Sequence, residues 1–87
     1  MIGQIPEKID KVLDVSGLQC PIPLANAAKA MKELSSGQVL RVIATDEGSV
    51  LDFRSWAQQS PTSVLVAQET EPDDDGRTRY IHYLRRK

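Results

Sequence analysis

Cys20 is the residue of this sequence whose surroundings point to chemistry, and it lies in the pentapeptide QCPIP of residues 19–23. A proline is tolerated in the first turn of a helix, because the amide hydrogen that it lacks would have no partner there. Pro21 and Pro23 therefore predict that a helix begins beside Cys20. The dipole of that helix favours an anion, so we expect the pKa of the thiol to lie below the ~8.5 of a free cysteine.

The two prolines leave Ile22 and Leu24 as the backbone amide donors of this first helical turn. We expect these amides to stabilise a nucleophilic thiolate, and we expect an apolar wall of Leu18, Ile22 and Met31 around it. The alternative is that Cys20 is a small buried apolar residue at a junction between a loop and a helix, which is a common fate of a single cysteine. The two prolines favour the reactive thiol.

The rest of the chain offers Cys20 little assistance. It has one cysteine and one histidine, which excludes an internal disulfide and a four-ligand Cys/His zinc site. Without a second cysteine, a Cys-x-x-Cys redox cycle cannot run within the chain. His82 lies in the last predicted strand, so we do not predict a Cys/His dyad. The chemistry that remains is a thiol that accepts a group, holds it and passes it on, with no metal and no cofactor.

The elements that must position this thiol follow from the periodicity of the apolar residues. We predict strands at residues 11–15, 39–44, 62–68 and 78–84. We predict one helix at residues 21–34 and a second that begins at Glu47 or Ser49 and ends at Gln59. The order β-α-β-α-β-β predicts an α/β (α+β) fold, a two-layer α/β sandwich whose four-stranded mixed sheet carries both helices on one face. At 87 residues the chain predicts a loose leader at residues 1–10 and a single domain at residues 11–87.

Local signals predict where the two helices begin and end. Gly37 is expected to stop the first helix, because glycine adopts the left-handed conformation without a penalty from a Cβ atom. Asp46 is expected to be the N-cap of the second helix. Ser49 and Asp52 have the spacing of a capping box at the same helix start.

Residues 13–23, LDVSGLQCPIP, closely resemble the signature Leu-Asp-x-x-Gly-x-x-Cys-Pro-x-Pro of the small sulfur-carrier proteins called TusA or SirA-like. The resemblance extends to residues 37–40 and 45–46 and covers residues 11–86. It implies a two-layer sandwich of four strands and two helices, and it implies that Cys20 carries sulfane sulfur as a persulfide. The supporting site residues are then Gly17, Pro21, Pro23 and Asp46.

The same resemblance implies partners for the protein. The sulfur would come from a cysteine desulfurase or a rhodanese-like donor and pass to an acceptor protein in sulfur oxidation, tRNA thiolation or molybdenum-cofactor synthesis. Such a protein is a sulfurtransferase-type carrier within a relay and not a stand-alone turnover enzyme. Glu47 follows Asp46 where the family commonly has proline, and Leu51 precedes Asp52 where it has a basic residue. A donor or acceptor that contacts this helix would then differ from that of the tRNA-thiolation members.

A second hypothesis is a non-catalytic regulatory module that binds protein or RNA through the sheet face and the C-terminal hairpin. Acidic residues gather at residues 69–75 and basic residues at residues 77–87. The net charge of −1 and the aromatic content of 5% disfavour direct nucleic-acid binding. No apolar segment approaches the ~20 residues of a membrane span, so we predict a cytoplasmic protein that does not bind membranes and keeps Cys20 reduced.

Overall fold

The computed structural model describes residues 2–19 and 22–87. The strands are β1 (Ile2–Gly3), β2 (Lys11–Asp14), β3 (Val39–Ala44), β4 (Ser63–Pro72) and β5 (Thr78–Arg86), and the helices are α1 (Ile22–Lys32) and α2 (Ser49–Gln59). From β2 onward the elements follow the predicted order. Neither helix of this described chain is long and apolar enough to cross a membrane.

All five strands belong to one sheet, in the order β1-β4-β5-β3-β2. β2 and β3 are parallel, and β5 is antiparallel to both of its neighbours, β3 and β4. β4 therefore runs parallel to β3, with β5 between them. Each helix thus lies on a connection between two parallel strands, and the predicted mixed sheet of an α+β fold is confirmed.

The segment before β2 contributes a strand that the sequence did not predict. β1 pairs antiparallel with Ala67 and Gln68 of β4, so the sheet has five strands where four were predicted. Asp10 then joins the segment to the start of β3, because its Oδ2 accepts the Val39 N–H at 2.8 Å and its own N–H donates to the Val39 carbonyl at 3.0 Å. The division of the chain into a leader and a domain remains a prediction.

The two helices share one core with one face of the sheet. Side chains alternate between the faces of a strand, and Leu40, Val42 and Leu84 point toward the helices and are fully buried. They form one cluster with residues of both helices and of the strand ends, namely Val15, Ala27, Ala30, Met31, Ala44 and Phe53. Both helices therefore cover the same face, as predicted.

The opposite face of the sheet carries paired charges above a smaller apolar cluster. Glu71 forms an ion pair with Arg79 and a longer one, of 4.0 Å, with Arg41. Beneath these side chains lies the second cluster, formed by Ile43, Ala67, Ile81 and Tyr83. Charged side chains thus cover this face, which neither helix contacts.

α1 ends at Lys32, two residues earlier than predicted. The Arg86 guanidinium donates to the Met31 carbonyl at 2.7 Å and so satisfies one of the carbonyls that a helix end leaves free. Gly37 does adopt a left-handed φ of +87°, but it lies in the turn before β3, where its N–H donates to the Arg86 carbonyl. The prediction that Gly37 stops α1 is therefore wrong.

A buried hydrogen-bond network joins α2 to β4 and β5. The side-chain amide of Gln68 donates to His82 Nδ1 and to the Val50 carbonyl, both at 3.0 Å. The oxygen of the same amide accepts a hydrogen bond from Arg54 Nε at 2.8 Å. Because His82 Nδ1 accepts, the proton of the neutral imidazole lies on Nε2, which donates to Ser49 Oγ at 2.9 Å.

This network decides how α2 begins. Gly48 is the N-cap residue, and no side chain caps the helix there. The Ser49 hydroxyl instead bonds to His82, and the Asp52 N–H donates to the Gly48 carbonyl. The predicted capping box of Ser49 and Asp52 is therefore wrong, because the Ser49 hydroxyl bonds to His82 of β5 and not to the Asp52 N–H.

His82 must remain neutral in this position. It is fully buried and stacks on Phe53, with the ring centroids 4.4 Å apart. Burial, and after it the charge of Arg54, lowers the pKa of His82 to about 4. A proton on Nδ1 would also face the amino group of Gln68.

We expect the free energy of unfolding to fall by about 3 kcal/mol between pH 6.5 and pH 4, because unfolded His82 takes up a proton in this range and folded His82 does not. His82→Gln should be less stable at neutral pH, since Ser49 loses its partner, but it should lose this pH dependence. Urea denaturation across the range measures both quantities. Equal slopes for the two proteins would contradict the assignment of a neutral, buried imidazole.

Candidate functional site

The loops that follow three parallel strands lie at the same end of the sheet. β2, β3 and β4 run in the same direction, so the segments that follow them, residues 15–19, 45–48 and 73–77, lie at that end. The first segment leads to Cys20 in the sequence, and the second leads into α2. Cys20 and Pro21 lie outside the described residues, and the residues on both sides of them define the site.

The segment before Cys20 forms a tight turn. The Leu18 N–H donates to the Val15 carbonyl at 3.2 Å, and Gly17, the third residue of the turn, has a φ of +82°. Glycine adopts this conformation without a steric penalty, which gives the predicted site residue Gly17 a physical role. Asp14 Oδ1 accepts the Ser16 N–H at 2.9 Å, and hydrogen bonds from the side chain and backbone of Ser16 lower the pKa of Asp14.

Two hydrogen bonds join this turn to β3 and to the loop that follows it. The Val15 N–H donates to the Ile43 carbonyl at 2.8 Å, which extends the pairing of β2 with β3 by one residue. The Gly17 N–H donates to Thr45 Oγ1, also at 2.8 Å. Sequence reasoning did not assign Thr45 a contact with this turn, because the partners are 28 residues apart and no local pattern links them.

Asp46 lies next to Thr45 and organises the start of α2. Its Oδ1 accepts the Gly48 N–H at 3.0 Å, and its carbonyl accepts the Ser49 N–H at 3.0 Å. Asp46 therefore stands two residues before the N-cap, Gly48, and the prediction that it is the N-cap itself is wrong in position. Its role as a supporting site residue stays a prediction.

Beyond Cys20, α1 begins at Ile22 and has Pro23 buried at its second position. The predicted helix start beside Cys20 is thus found. The Ile22 N–H, however, donates to the Gln19 carbonyl at 3.0 Å. The prediction that Ile22 supplies an amide donor to the thiol is wrong, since this donor is already used to close the turn into the helix.

Exposed apolar side chains flank Cys20 in the chain. Leu18 is 37% exposed and Ile22 is 49% exposed, which is high for residues of their size. Met31 is 2% exposed and packs in the core, near the far end of α1. The predicted apolar wall can therefore include the two flanking residues but not Met31.

His82 is not available as a general base. Both ring nitrogens of His82 are engaged, by Ser49 and by Gln68, inside the core. Among residues 2–19 and 22–87, no group of three His, Cys, Asp or Glu side chains is arranged to hold a metal ion. The residues on both sides of Cys20 are thus held in place, by the hydrogen bond of Gly17 to Thr45 on one side and by the start of α1 on the other.

Gly17→Ala should lower the free energy of unfolding by about 1 kcal/mol, because a residue with a Cβ atom is strained at a positive φ. Apart from Gly17 and its two neighbours in the chain, no heavy atom of the described residues lies within 4 Å of the position that this Cβ would take, so no clash with them is added. Gly76→Ala is the matched control, since Gly76 has a φ of +86° and the same open space in the β4–β5 hairpin. Both variants should lose similar stability in chemical denaturation.

The rate of alkylation by iodoacetamide separates the two variants. Gly17→Ala should change the rate at Cys20, because the turn before it is displaced, and Gly76→Ala should leave the rate unchanged. Intact-mass spectrometry follows the reaction. Identical rates in both variants would show that the turn does not govern the thiol.

Comparison with known proteins adds to this geometry. Residues 11–83 match the family described as Sulfurtransferase TusA. The sulfur carrier protein TusA of Allochromatium vinosum is 50% identical over 60 residues, which are 69% of this chain and 79% of that protein. YrkI of Bacillus subtilis, whose description as a sulfur carrier protein is provisional, is 45% identical over 67 residues, or 77% of this chain and 87% of its own.

A solved structure is similar over most of its length. The crystal structure of the SirA-like protein of Desulfitobacterium hafniense matches with a TM-score of 0.59 and 26% identity, covering 84% of this chain and 95% of that one. These similarities confirm the resemblance carried by residues 13–23, and they support the sulfur-carrier prediction and not the alternative binding module. The chain belongs to the TusA family of sulfurtransferases.

Proposed function

We propose that this protein carries sulfane sulfur as a persulfide on Cys20 and hands it to an acceptor protein. The observation that carries the proposal is the fixed segment on both sides of Cys20. On one side, the turn of Gly17 is bonded to Thr45, and on the other, α1 begins at Ile22. Membership of a family that includes the sulfur carrier of Allochromatium vinosum supports the same function.

Loading is a thiol exchange. The Cys20 thiolate attacks the terminal sulfur of a persulfide R–S–SH on the donor, a new S–S bond forms on Cys20, and the donor leaves as the thiolate R–S⁻. In unloading, an acceptor thiolate attacks the terminal sulfur of the Cys20 persulfide, and Cys20 leaves as a thiolate. Each exchange breaks one bond to sulfur and forms one, so neither step needs an external oxidant, a reductant or a cofactor.

The chemistry fits a site without a general base. The attacking group is already ionised, and the leaving group departs as a thiolate, so no side chain of the carrier has to transfer a proton. What the carrier must supply is a low thiol pKa. The dipole of α1, whose first described residue follows Cys20 by two positions, favours the thiolate.

The supporting residues are assigned by their positions. Pro21 and Pro23 set the start of α1, because their fixed φ suits the first helical turn. Gly17 shapes the turn before Cys20, and Asp46 orders the loop beside that turn. We assign none of these four a direct part in bond exchange.

We propose a cysteine desulfurase or a rhodanese-like protein as the donor, because both form protein persulfides, and a second protein thiol as the acceptor. The relay would run in the cytoplasm, where thiols stay reduced, toward sulfur oxidation, tRNA thiolation or cofactor synthesis. Leu51 is 66% exposed on the first turn of α2, where related proteins commonly carry a basic residue. A partner that docks on α2 would therefore meet an apolar contact here.

Reduced protein incubated with a cysteine desulfurase and cysteine, or with a rhodanese and thiosulfate, should gain the mass of one or more sulfur atoms. A reductant should reverse the gain, since it reduces the persulfide. Cys20→Ser should keep the free energy of unfolding of the wild type and gain no sulfur, because no other side chain of the chain can form a persulfide.

Alkylation of the wild type is the control for access to the thiol. If iodoacetamide reaches Cys20 readily while both donors leave the protein unmodified, the thiol is exposed but accepts no sulfur. The carrier function would then be rejected in favour of the binding module.

A further inference from the structure

We infer that Thr45 is a positioning residue for Cys20, and that its hydroxyl holds the Cys20 segment against the β3–α2 loop. The contact that carries this inference is the hydrogen bond of 2.8 Å from the Gly17 N–H to Thr45 Oγ1. Its consequence for sulfur transfer rests on the function proposed above. Its consequence for the reactivity of the thiol does not.

The amides of the turn show why this bond differs from its neighbours. The N–H groups of Ser16 and Leu18 are satisfied inside the segment, by the Asp14 carboxylate and the Val15 carbonyl. Those bonds shape the turn, and they can move with it. The Gly17 N–H is satisfied from outside the segment, so it fixes where the whole turn lies relative to β3 and α2.

The bond also fixes one end of a short connection. Three residues separate Leu18, the last residue of the turn, from Ile22, where α1 begins. α1 is held in place by its buried face, which includes Pro23 and Ala27. With the helix fixed by packing and the turn fixed by Thr45, both ends of the connection that contains Cys20 are set. Without the Thr45 bond, the last anchor before Cys20 is the Val15 bond to the Ile43 carbonyl.

Thr45 is itself well supported. It follows Ala44, which is fully buried at the end of β3. It precedes Asp46, whose carbonyl accepts the N–H of Ser49, the residue that His82 holds from the core. A threonine side chain has few rotamers because it is branched at Cβ, so the position of the hydroxyl follows the backbone closely.

Thr45→Val keeps the shape of the side chain but removes the oxygen that Gly17 uses. We expect sulfur uptake at Cys20 to slow by about tenfold or more, because a misplacement of ~1 Å can cost on the order of 100-fold in rate. We also expect the midpoint of the pH profile for alkylation of Cys20 to shift. Thr45→Ser, which retains the hydroxyl, should take up sulfur at a rate within about twofold of the wild type. It should also keep the wild-type midpoint of the alkylation profile.

Thr70→Val is the matched control, since Thr70 is an exposed threonine on β4. Initial rates of sulfur uptake from a cysteine desulfurase and the pH profile of iodoacetamide alkylation are measured for the wild type and all three variants. The inference is supported if Thr45→Val changes the rate of sulfur uptake and the alkylation profile, while Thr45→Ser and Thr70→Val behave like the wild type. Unchanged profiles in Thr45→Val, or equal defects in Thr45→Val and Thr45→Ser, overturn it.

The two readouts keep this inference apart from the carrier function. If the wild type takes up no sulfur but Thr45→Val still shifts the alkylation profile, the carrier function fails and the positioning role stands. Should Thr45→Val fail to fold, amide hydrogen exchange in the wild type decides. A Gly17 amide that exchanges as fast as an unstructured peptide would overturn the inference, and a protected one would support it.

Discussion

The hydrogen bond between neutral His82 and Ser49 fixes the start of α2 against the sheet, and through the β3–α2 loop it supports the contact of Thr45 with Gly17. Ser49 is the first residue of α2, and its N–H donates to the Asp46 carbonyl. Asp46 follows Thr45, which holds the turn of Gly17. The buried imidazole of His82 in β5 thus supports the β3–α2 loop, at the end of the sheet, through a short series of hydrogen bonds.

The parts of this fold that are encoded locally could be predicted from the sequence. β3 is a run of apolar residues, and α1 repeats small and apolar residues with a helical period, so both were found to within two residues of their ends. Asp14 stands two residues from Ser16, which it contacts, and Gly17 takes its positive φ within the same turn, so the signature of residues 13–23 reflects this local turn. Local patterns gave a wrong prediction where a distant residue forms the hydrogen bond. Ser49 has the spacing of a capping residue, but its hydroxyl bonds to His82, which is 33 residues away.

Pairing between distant segments explains the remaining differences. β1 has two residues, which are too few for a hydrophobic period to be recognised in the sequence. Its pairing depends on the strand order of the sheet, which places β1 beside β4. Thr45 likewise bonds to a distant residue, Gly17, which is 28 residues away in the sequence. Its role follows from the parallel pairing of β2 with β3, which brings the C-terminal ends of both strands to the same end of the sheet. Such contacts can be assigned only when the order and direction of the strands are known.

The segregated charges of the C-terminal hairpin have a structural explanation that weakens the RNA-binding alternative. Glu71 of β4 pairs with Arg79 of β5, and Glu69 accepts a hydrogen bond from the Tyr83 hydroxyl at 2.8 Å. Tyr83 is 3% exposed, so its ring is not a platform on which a base could stack. Acidic and basic residues that are separate in the sequence are thus neighbours across two antiparallel strands. Glu71 and Arg79 thus neutralise one another on the sheet face that the helices leave uncovered.

The position of the Cys20 segment fits a carrier better than an enzyme with an enclosed pocket. An enzyme gains rate by surrounding its substrate, whereas a carrier must present its thiol to a donor and then to an acceptor. Leu18 and Ile22, the described residues that flank this segment, have exposed side chains that a second protein surface can reach. Exposed side chains gain little from core packing. Hydrogen bonds that the turn donates to the Asp14 carboxylate, the Thr45 hydroxyl oxygen and the Val15 carbonyl order the residues before Cys20. This is why a threonine far from the signature matters to it.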